Sequence, residues 1–252
     1  MAVLETIDAE RPDASFDLDG TVFKFTVLEA YTDWLSEQGI FRPMPKDIVD
    51  SKVAWKQENT EASYTEHLGL LVDFFIKEVP GKSVEILTSA ADTVADRERH
   101  RTWNATTSLV EHLRKTHNVM AISLMPEWLM GSFVRHMGFV ATIGSTYVTR
   151  EGVFTDEAYT IDKASAYARH EHGTVLEIHV GDTVGDSSLF DLARHPVLFN
   201  PSWTLLSKRA SLGEARIDSH KDVATVFSNG VSATFGAPFD AAQMLAAIRA
   251  NA

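Results

Sequence analysis

Cysteine is absent from all 252 residues, which excludes disulfides, thiolate nucleophiles and zinc–thiolate sites. A chain without cysteine suits a reducing compartment, and a cytoplasmic location is the expectation. No run approaches the ~18 consecutive apolar residues needed to cross a bilayer, so no membrane partner is expected. The stretch Met1 to Ser15 is acidic and polar and lacks the apolar centre of a secretory leader. Positive charge is scarce: 23 Lys and Arg stand against 35 Asp and Glu, a formal net charge of −12. Such a surface repels a phosphate backbone, which argues against nucleic acid as a partner. It repels a small anion equally, so any phosphate site must carry local positive charge or a metal ion. Internal repeats and low-complexity tracts are also lacking.

What is present is an ordinary globular composition, 44% apolar, in a length that allows one large domain or a core with an inserted module. Residues 1–13 read as a frayed lead-in, and Ala14 to Phe16 as a short strand whose length Pro12 limits. Helical spacing then takes over. Val27, Leu28, Tyr31, Trp34 and Leu35 form one helix that Gly39 stops. Pro43 opens a polar second helix. Tyr64, Leu68, Leu71, Phe74, Phe75 and Glu78 share a third, and Val84, Leu87, Ala91 and Val94 a fourth. Residues 28–103 therefore read as an all-helical insertion between two parts of a core, 1–27 and 104–252. Trp34, Trp55, Phe74 and Phe75 are expected to pack within it, and Arg97, Arg99 and Arg101 to lie on a solvated face with Asp96 and Glu98.

Beyond the insertion the pattern alternates. Val119 to Ser123 is a short apolar run suited to a buried parallel strand. Trp128 to His136 is helical, and Val140 to Val148 and Val153 to Tyr159 flank a hairpin turn at Arg150-Glu151-Gly152. Lys163 to His172 is a helix, with His170 and His172 at its solvated end. Val175 to Val180 is a strand, Leu189 to His195 a helix, and Val197 to Pro201 a strand and turn. This alternation predicts an α/β fold with a doubly wound, Rossmann-like parallel sheet. The segment 202–236 carries no pattern read here, and Asp240 to Ala250 is a last amphipathic helix.

The chemistry concentrates at strand ends. In Asp17-Leu18-Asp19-Gly20-Thr21, two carboxylates two residues apart share one face of a strand, and Gly20 lets the chain turn away. Taken alone, the stretch also reads, with less weight, as an Asp-rich turn after a strand. Ser123, Lys163 and Gly181-Asp182-Thr183-Val184-Gly185-Asp186 follow or precede elements that place them at the same sheet edge, where open α/β sheets bind ligands. A hydroxyl and an ammonium suit a phosphoryl group. Asp182 and Asp186 offer oxygens to a hard cation such as Mg²⁺. Carboxylates gathered without a cation repel by about 4 kcal/mol per close pair at an effective dielectric of 20.

The order DxDGT at Asp17 to Thr21, Ser123 at a strand end, Lys163, then GD[ST]xxD at Gly181 to Asp186 resembles the haloacid dehalogenase-like (HAD) phosphohydrolase superfamily. The helical insertion looks like its C1 cap, and the features around Lys163, Leu192 and Asn200-Pro201 look like its phosphoserine phosphatase-like branch. The resemblance implies that Asp17 attacks phosphorus and binds Mg²⁺, and that Asp19 is the acid and base, with its backbone carbonyl on the metal. It implies that Thr21, Ser123, Leu124 and Lys163 bind the substrate phosphate and that Asp182 and Asp186 complete the metal site. A monomeric or homodimeric phosphatase acting on a small phosphorylated substrate would follow, with Mg²⁺ as cofactor. The same intermediate would serve a phosphotransferase or mutase. A non-catalytic receiver-type signalling module is the remaining class, but receivers are shorter, place their acidic pair before the acceptor Asp and lack a cap. Thr183 stands where relatives commonly have Ser. Met125 is bulky where they have small residues, and the insertion shows no match to the Glu and Arg that grip phosphoserine.

Overall fold

A computed structural model of the protein describes residues 2–58, 60–169 and 175–250. Its strands form one ten-stranded sheet: β1 (Ala2–Val3), β2 (Asp13–Phe16), β3 (Asn118–Pro126), β4 (Ala141–Arg150), β5 (Val153–Tyr159), β6 (Leu176–Gly181), β7 (His195–Phe199), β8 (Ala215–His220), β9 (Val223–Ser228) and β10 (Val231–Gly236). Four helices, α1 (Val27–Glu37), α2 (Lys46–Glu58), α3 (Glu61–Glu78) and α4 (Val84–Glu98), intervene between β2 and α5 (Asn104–Leu113). The others are α6 (Glu127–Val134), α7 (Lys163–Ala168), α8 (Ser187–Phe190), α9 (Trp203–Arg209) and α10 (Ala241–Arg249). The fold is α/β and doubly wound, as the alternation of elements predicts.

The sheet runs β1-β4-β3-β2-β6-β7-β8-β9-β10, with β5 paired to β4. From β4 to β8 every pairing is parallel. β2 sits at the point where the order reverses: the chain continues to β3 and β4 on one side and later to β6, β7 and β8 on the other. That switch point opens a crevice at the carboxyl ends of the strands. β2 is buried along its whole length, as a central strand covered on both faces must be. Even its first residue is satisfied internally: Asn118 Nδ2 and Tyr167 Oη donate to the two oxygens of Asp13 at 3.0 and 2.8 Å. Phe16 is fully buried and meets Phe139 edge to face, centroids 6.1 Å apart.

The helices α1 to α4 enter and leave through adjacent strands of chain. Lys24 N donates to Arg101 O and Trp103 N to Val22 O, each at 2.9 Å, around an antiparallel bridge between Phe23 and Thr102. The far end of the helices is tied to the β4–β5 hairpin, where Gly81 N donates to Phe154 O at 2.8 Å and Val84 N to Gly152 O at 2.9 Å. Phe75 of α3 packs among Tyr31, Phe41, Trp128 and Tyr147.

Several expectations need correction. The lead-in is not frayed throughout: β1 pairs antiparallel with β4, and Leu4 N donates to Val140 O at 2.8 Å. The helix expected from Leu189 to His195 ends at Phe190, because Arg194 N donates to Leu176 O at 3.1 Å and draws the chain back onto the sheet. Of the helix expected over 163–172, the described part is α7; His170 and His172 lie outside the described residues. The unread segment 202–236 holds α9 and an antiparallel meander, β8-β9-β10. Asn229 and Gly230 both take positive φ, 49° and 74°, the conformation that two-residue hairpin turns require.

Truncating Phe16 removes a ring from the strand that carries the site, with no room for collapse between β3 and β6. Phe16→Ala is expected to lower the unfolding free energy by about 3–5 kcal/mol, measured by chemical denaturation.

Candidate active site

The ladder that holds β2 also places the first carboxylate. Asp17 N donates to Val180 O of β6 at 2.9 Å, so Asp17 leaves the sheet beside the end of β6. The chain then closes around one carbonyl: Leu18 O accepts from Val22 N and Phe23 N at 2.9 Å and from Thr21 N at 3.3 Å. Gly20 makes the turn with φ of 79°, and a Cβ there would collide with the Asp182 carboxylate. Only glycine allows these two loops to approach so closely.

Asp17, Asp182 and Asp186 each present an oxygen within 4.8 Å of the others. Lys163, the first residue of α7, reaches between two of them, with Nζ 2.5 Å from Asp186 Oδ1 and 3.0 Å from Asp17 Oδ1. Asp162 caps that helix by accepting from Ser165 N at 2.8 Å, which fixes where α7 begins. Asp186 faces inward, fully buried. Its Oδ2 accepts from the backbone N–H groups of Asp182 and Thr183 at 3.2 Å, and His179 Nε2 lies 3.5 Å from its Oδ1. Thr21 is buried, and its hydroxyl donates to Asp182 Oδ1 at 3.1 Å.

These environments push the carboxyls apart. Burial raises Asp17, and the nearby Lys163 offsets that rise only in part. Burial together with the charges of Asp17 and Asp186 raises Asp182 well above the ordinary carboxylate range. Burial acts on Asp186 in the same sense, but Lys163 and His179 outweigh it and hold it low. For Lys163, burial opposes the charged form, yet Asp17 and Asp186 raise it above the ordinary lysine value. Asp19 is pushed up to about 7 by burial, which outweighs the hydrogen bond from Val27 N. That bond, 2.9 Å to Asp19 Oδ1, ties the second carboxylate to the start of α1.

A cavity of about 620 Å³ opens over this cluster between the sheet edge and the helices α2 and α3. Asp17, Asp19, Lys163 and Asp182 line its floor, with Ser123 and Leu124 beside them. The structure thus gathers seven of the eight sequence-predicted residues at or under one cavity floor, Asp186 lying beneath it. Thr21 does not line the cavity and contacts Asp182 instead. Ser145, which sequence reasoning missed, lines the cavity and donates to Leu124 O at 2.6 Å, fixing the loop after Ser123. Trp55 lines the cavity and stacks on His67, with centroids 5.6 Å apart. Arg101 is engaged elsewhere, 2.8 Å from Glu98 and over the Phe25 ring. A second cavity, about 650 Å³, lies at the amino ends of β3 and β4, lined by Arg11, Arg114, His117 and Asn118. It is remote from the acidic cluster.

The cluster fits a divalent cation. Its donors are all carboxylate oxygens, the choice of hard ions. Two of the three carboxyls, Asp17 and Asp182, are raised by burial and by the charge of their acidic neighbours.

No protein-family model matches the sequence, and no curated protein matches it. Solved structures do match the fold. One is a protein of unknown function from Bordetella pertussis Tohama I, 18% identical over 82% of this chain and 99% of that one, TM-score 0.65. Another is a HAD-family hydrolase from Salmonella enterica serovar Typhi, 15% identical over 80% of this chain and 67% of that one, TM-score 0.53. A third is a substrate-bound phosphoserine phosphatase, 14% identical over 79% and 90% of the two chains, TM-score 0.52. The chain therefore shares the α/β fold of these structures.

Millimolar Mg²⁺ is expected to raise the melting temperature, by the equivalent of about 2.7 kcal/mol at 100 times its Kd. Asp182→Asn should remove that rise without lowering the metal-free melting temperature, since it relieves repulsion from Asp17 and Asp186. A variant that responds to Mg²⁺ as the parent does would contradict the assignment of the cation to this cluster.

Proposed function

We propose that the protein is a Mg²⁺-dependent phosphohydrolase that cleaves small-molecule phosphomonoesters through an aspartyl-phosphate on Asp17. The observation that carries this reading is the placement of Asp17 at the switch point of the sheet, between Lys163 and the Asp182–Asp186 loop, on the floor of a cavity. A carboxylate there is a nucleophile, not a structural charge, because nothing about the fold requires three acids at one point.

Asp17, Asp182 and Asp186 would hold the metal, and a bound Mg²⁺ would offset their charge and that of the incoming phosphoryl group. The Lys163 ammonium and the Ser123 hydroxyl orient the phosphoryl oxygens. An oxygen of Asp17 bonds to phosphorus as the ester P–O bond breaks, and Asp19 gives its proton to the departing alkoxide. Water then attacks phosphorus, Asp19 takes its proton, and the Asp17–phosphate bond breaks to release inorganic phosphate. A carboxyl held near 7 is matched to both transfers at neutral pH. Thr21 acts through Asp182, and Ser145 through the Leu124 backbone, as positioning residues.

Residues 28–103 act as a cap. Their hinge is the paired passage at Phe23 and Thr102, and their inner face roofs the cavity. A roof of this kind excludes water from the first step and selects the alcohol.

Hydrolysis of 4-nitrophenyl phosphate in Mg²⁺ tests the reading. The parent should release nitrophenol, chelation by EDTA should stop it, and Asp17→Asn should lose about 10³-fold or more in kcat, as removal of a covalent nucleophile does. An Asp17→Asn protein as active as the parent would overturn the mechanism.

A further inference from the structure

The helix α3 presents two apolar faces, one fully buried and one only partly covered. Ser63, His67, Leu71, Phe74 and Phe75 are buried. Tyr64, Leu68, Val72 and Ile76, spaced four apart, form a second stripe, and all four line the cavity over Asp17. Opposite them, Leu124 and Tyr159 line the same space from the sheet side. These side chains are not hidden in the free protein: Ile76 is 39% exposed, Leu124 49% and Tyr159 58%. Large apolar groups facing one another across an open cavity mark a ligand surface.

The charges around the cavity are distributed to match. Lys163, Asp17, Asp19 and Asp182 lie at its floor. Above them the ionic lining is confined to Lys24 and Asp156, both exposed, and the Lys24 ammonium sits over the Trp103 ring, 5.1 Å from its centroid. Arginine lines no part of the cavity among the described residues. An alcohol bearing its own ammonium and carboxylate would find only Lys24 and Asp156 to pair with, and against the rest of the walls its charges would lose hydration. An apolar alcohol would instead cover Ile76, Leu124 and Tyr159.

We infer that the substrate is a phosphomonoester of a bulky apolar alcohol, its phosphate on the Asp17 floor and its hydrocarbon body between the Tyr64–Ile76 stripe and the Leu124–Tyr159 wall. This rests on the phosphatase reading above and narrows its substrate class. Specificity then lies in the outward stripe of α3, because a methylene in an apolar pocket changes kcat/KM by ~10-fold or more.

The test compares ethyl, butyl and hexyl phosphate with O-phosphoserine at fixed Mg²⁺. Specificity constants should rise by ~100-fold or more from ethyl to hexyl, with phosphoserine among the poorest substrates. Ile76→Asp should cut the hexyl-to-ethyl ratio by ~10-fold, whereas Ile76→Leu should preserve it. A flat or falling series, a preference for phosphoserine, or an Ile76→Asp protein that keeps the parent's ratio would overturn the inference and leave the phosphatase reading intact. Failure to hydrolyse all four esters would overturn the inference alone if 4-nitrophenyl phosphate is cleaved, and both readings if it is not.

Discussion

A lysine ammonium withheld from water and shared between two carboxylates organises this molecule. Lys163 is 3% exposed and lies 2.5 Å from Asp186 and 3.0 Å from Asp17. Without it, three acidic side chains would face one another across less than 5 Å, each close pair repelling by about 4 kcal/mol at an effective dielectric of 20. The ammonium reaches its place only because three separate parts of the chain end at one edge. β2 delivers Asp17, β6 and its following turn deliver Asp182 and Asp186, and a capped helix start delivers Lys163. The parallel sheet, its reversal of order at β2 and the collision that reserves residue 20 for glycine all serve that meeting.

One lysine does not neutralise the cluster. Burial and mutual repulsion hold Asp182 and Asp17 above their ordinary range, while Asp186, with Lys163 and two backbone amides, stays low. The cluster is thus graded, with a firmly ionised anchor beneath and two frustrated carboxyls facing the cavity. Repulsion of this kind costs stability that a bound cation would return. Asp19 stands apart from the cluster, tied to the start of α1 and pushed up by burial. Two acids of one short motif therefore sit in different surroundings, one in the cluster and the other beside a helix start.

Much of this was legible in the chain. Motif order and strand-end position singled out Asp17, Ser123, Lys163, Asp182 and Asp186, which the fold brings together, because their placement depends on local sequence, on where a short apolar run stops. The alternation of elements gave the parallel sheet for the same reason. The β8–β10 meander was missed, although Asn229-Gly230 is the strongest short-range hairpin signal and Ala215, Ile217 and Ser219 alternate in burial. Its strands are short, and the edge strand β10 is largely exposed, so hydrophobic periodicity had little to register. The second stripe of α3 was hidden for another reason. Tyr64 and Leu68 fit the same helical period as Leu71 and Phe74, and only the fold separates the fully buried face from the partly covered face over the cavity. Thr21 shows the limit of reading roles from a motif, since its hydroxyl turns to Asp182.

The central claim is that Asp17, alone among these acids, receives the phosphoryl group. A crystal structure of the protein with Mg²⁺ and beryllium trifluoride, a phosphoryl mimic that bonds to carboxylate oxygen, tests it most directly. Beryllium bonded to an oxygen of Asp17, with Lys163 and Ser123 on the fluorines, is the expected result. Beryllium fluoride on Asp19, on Asp182 or nowhere in the cavity would contradict it.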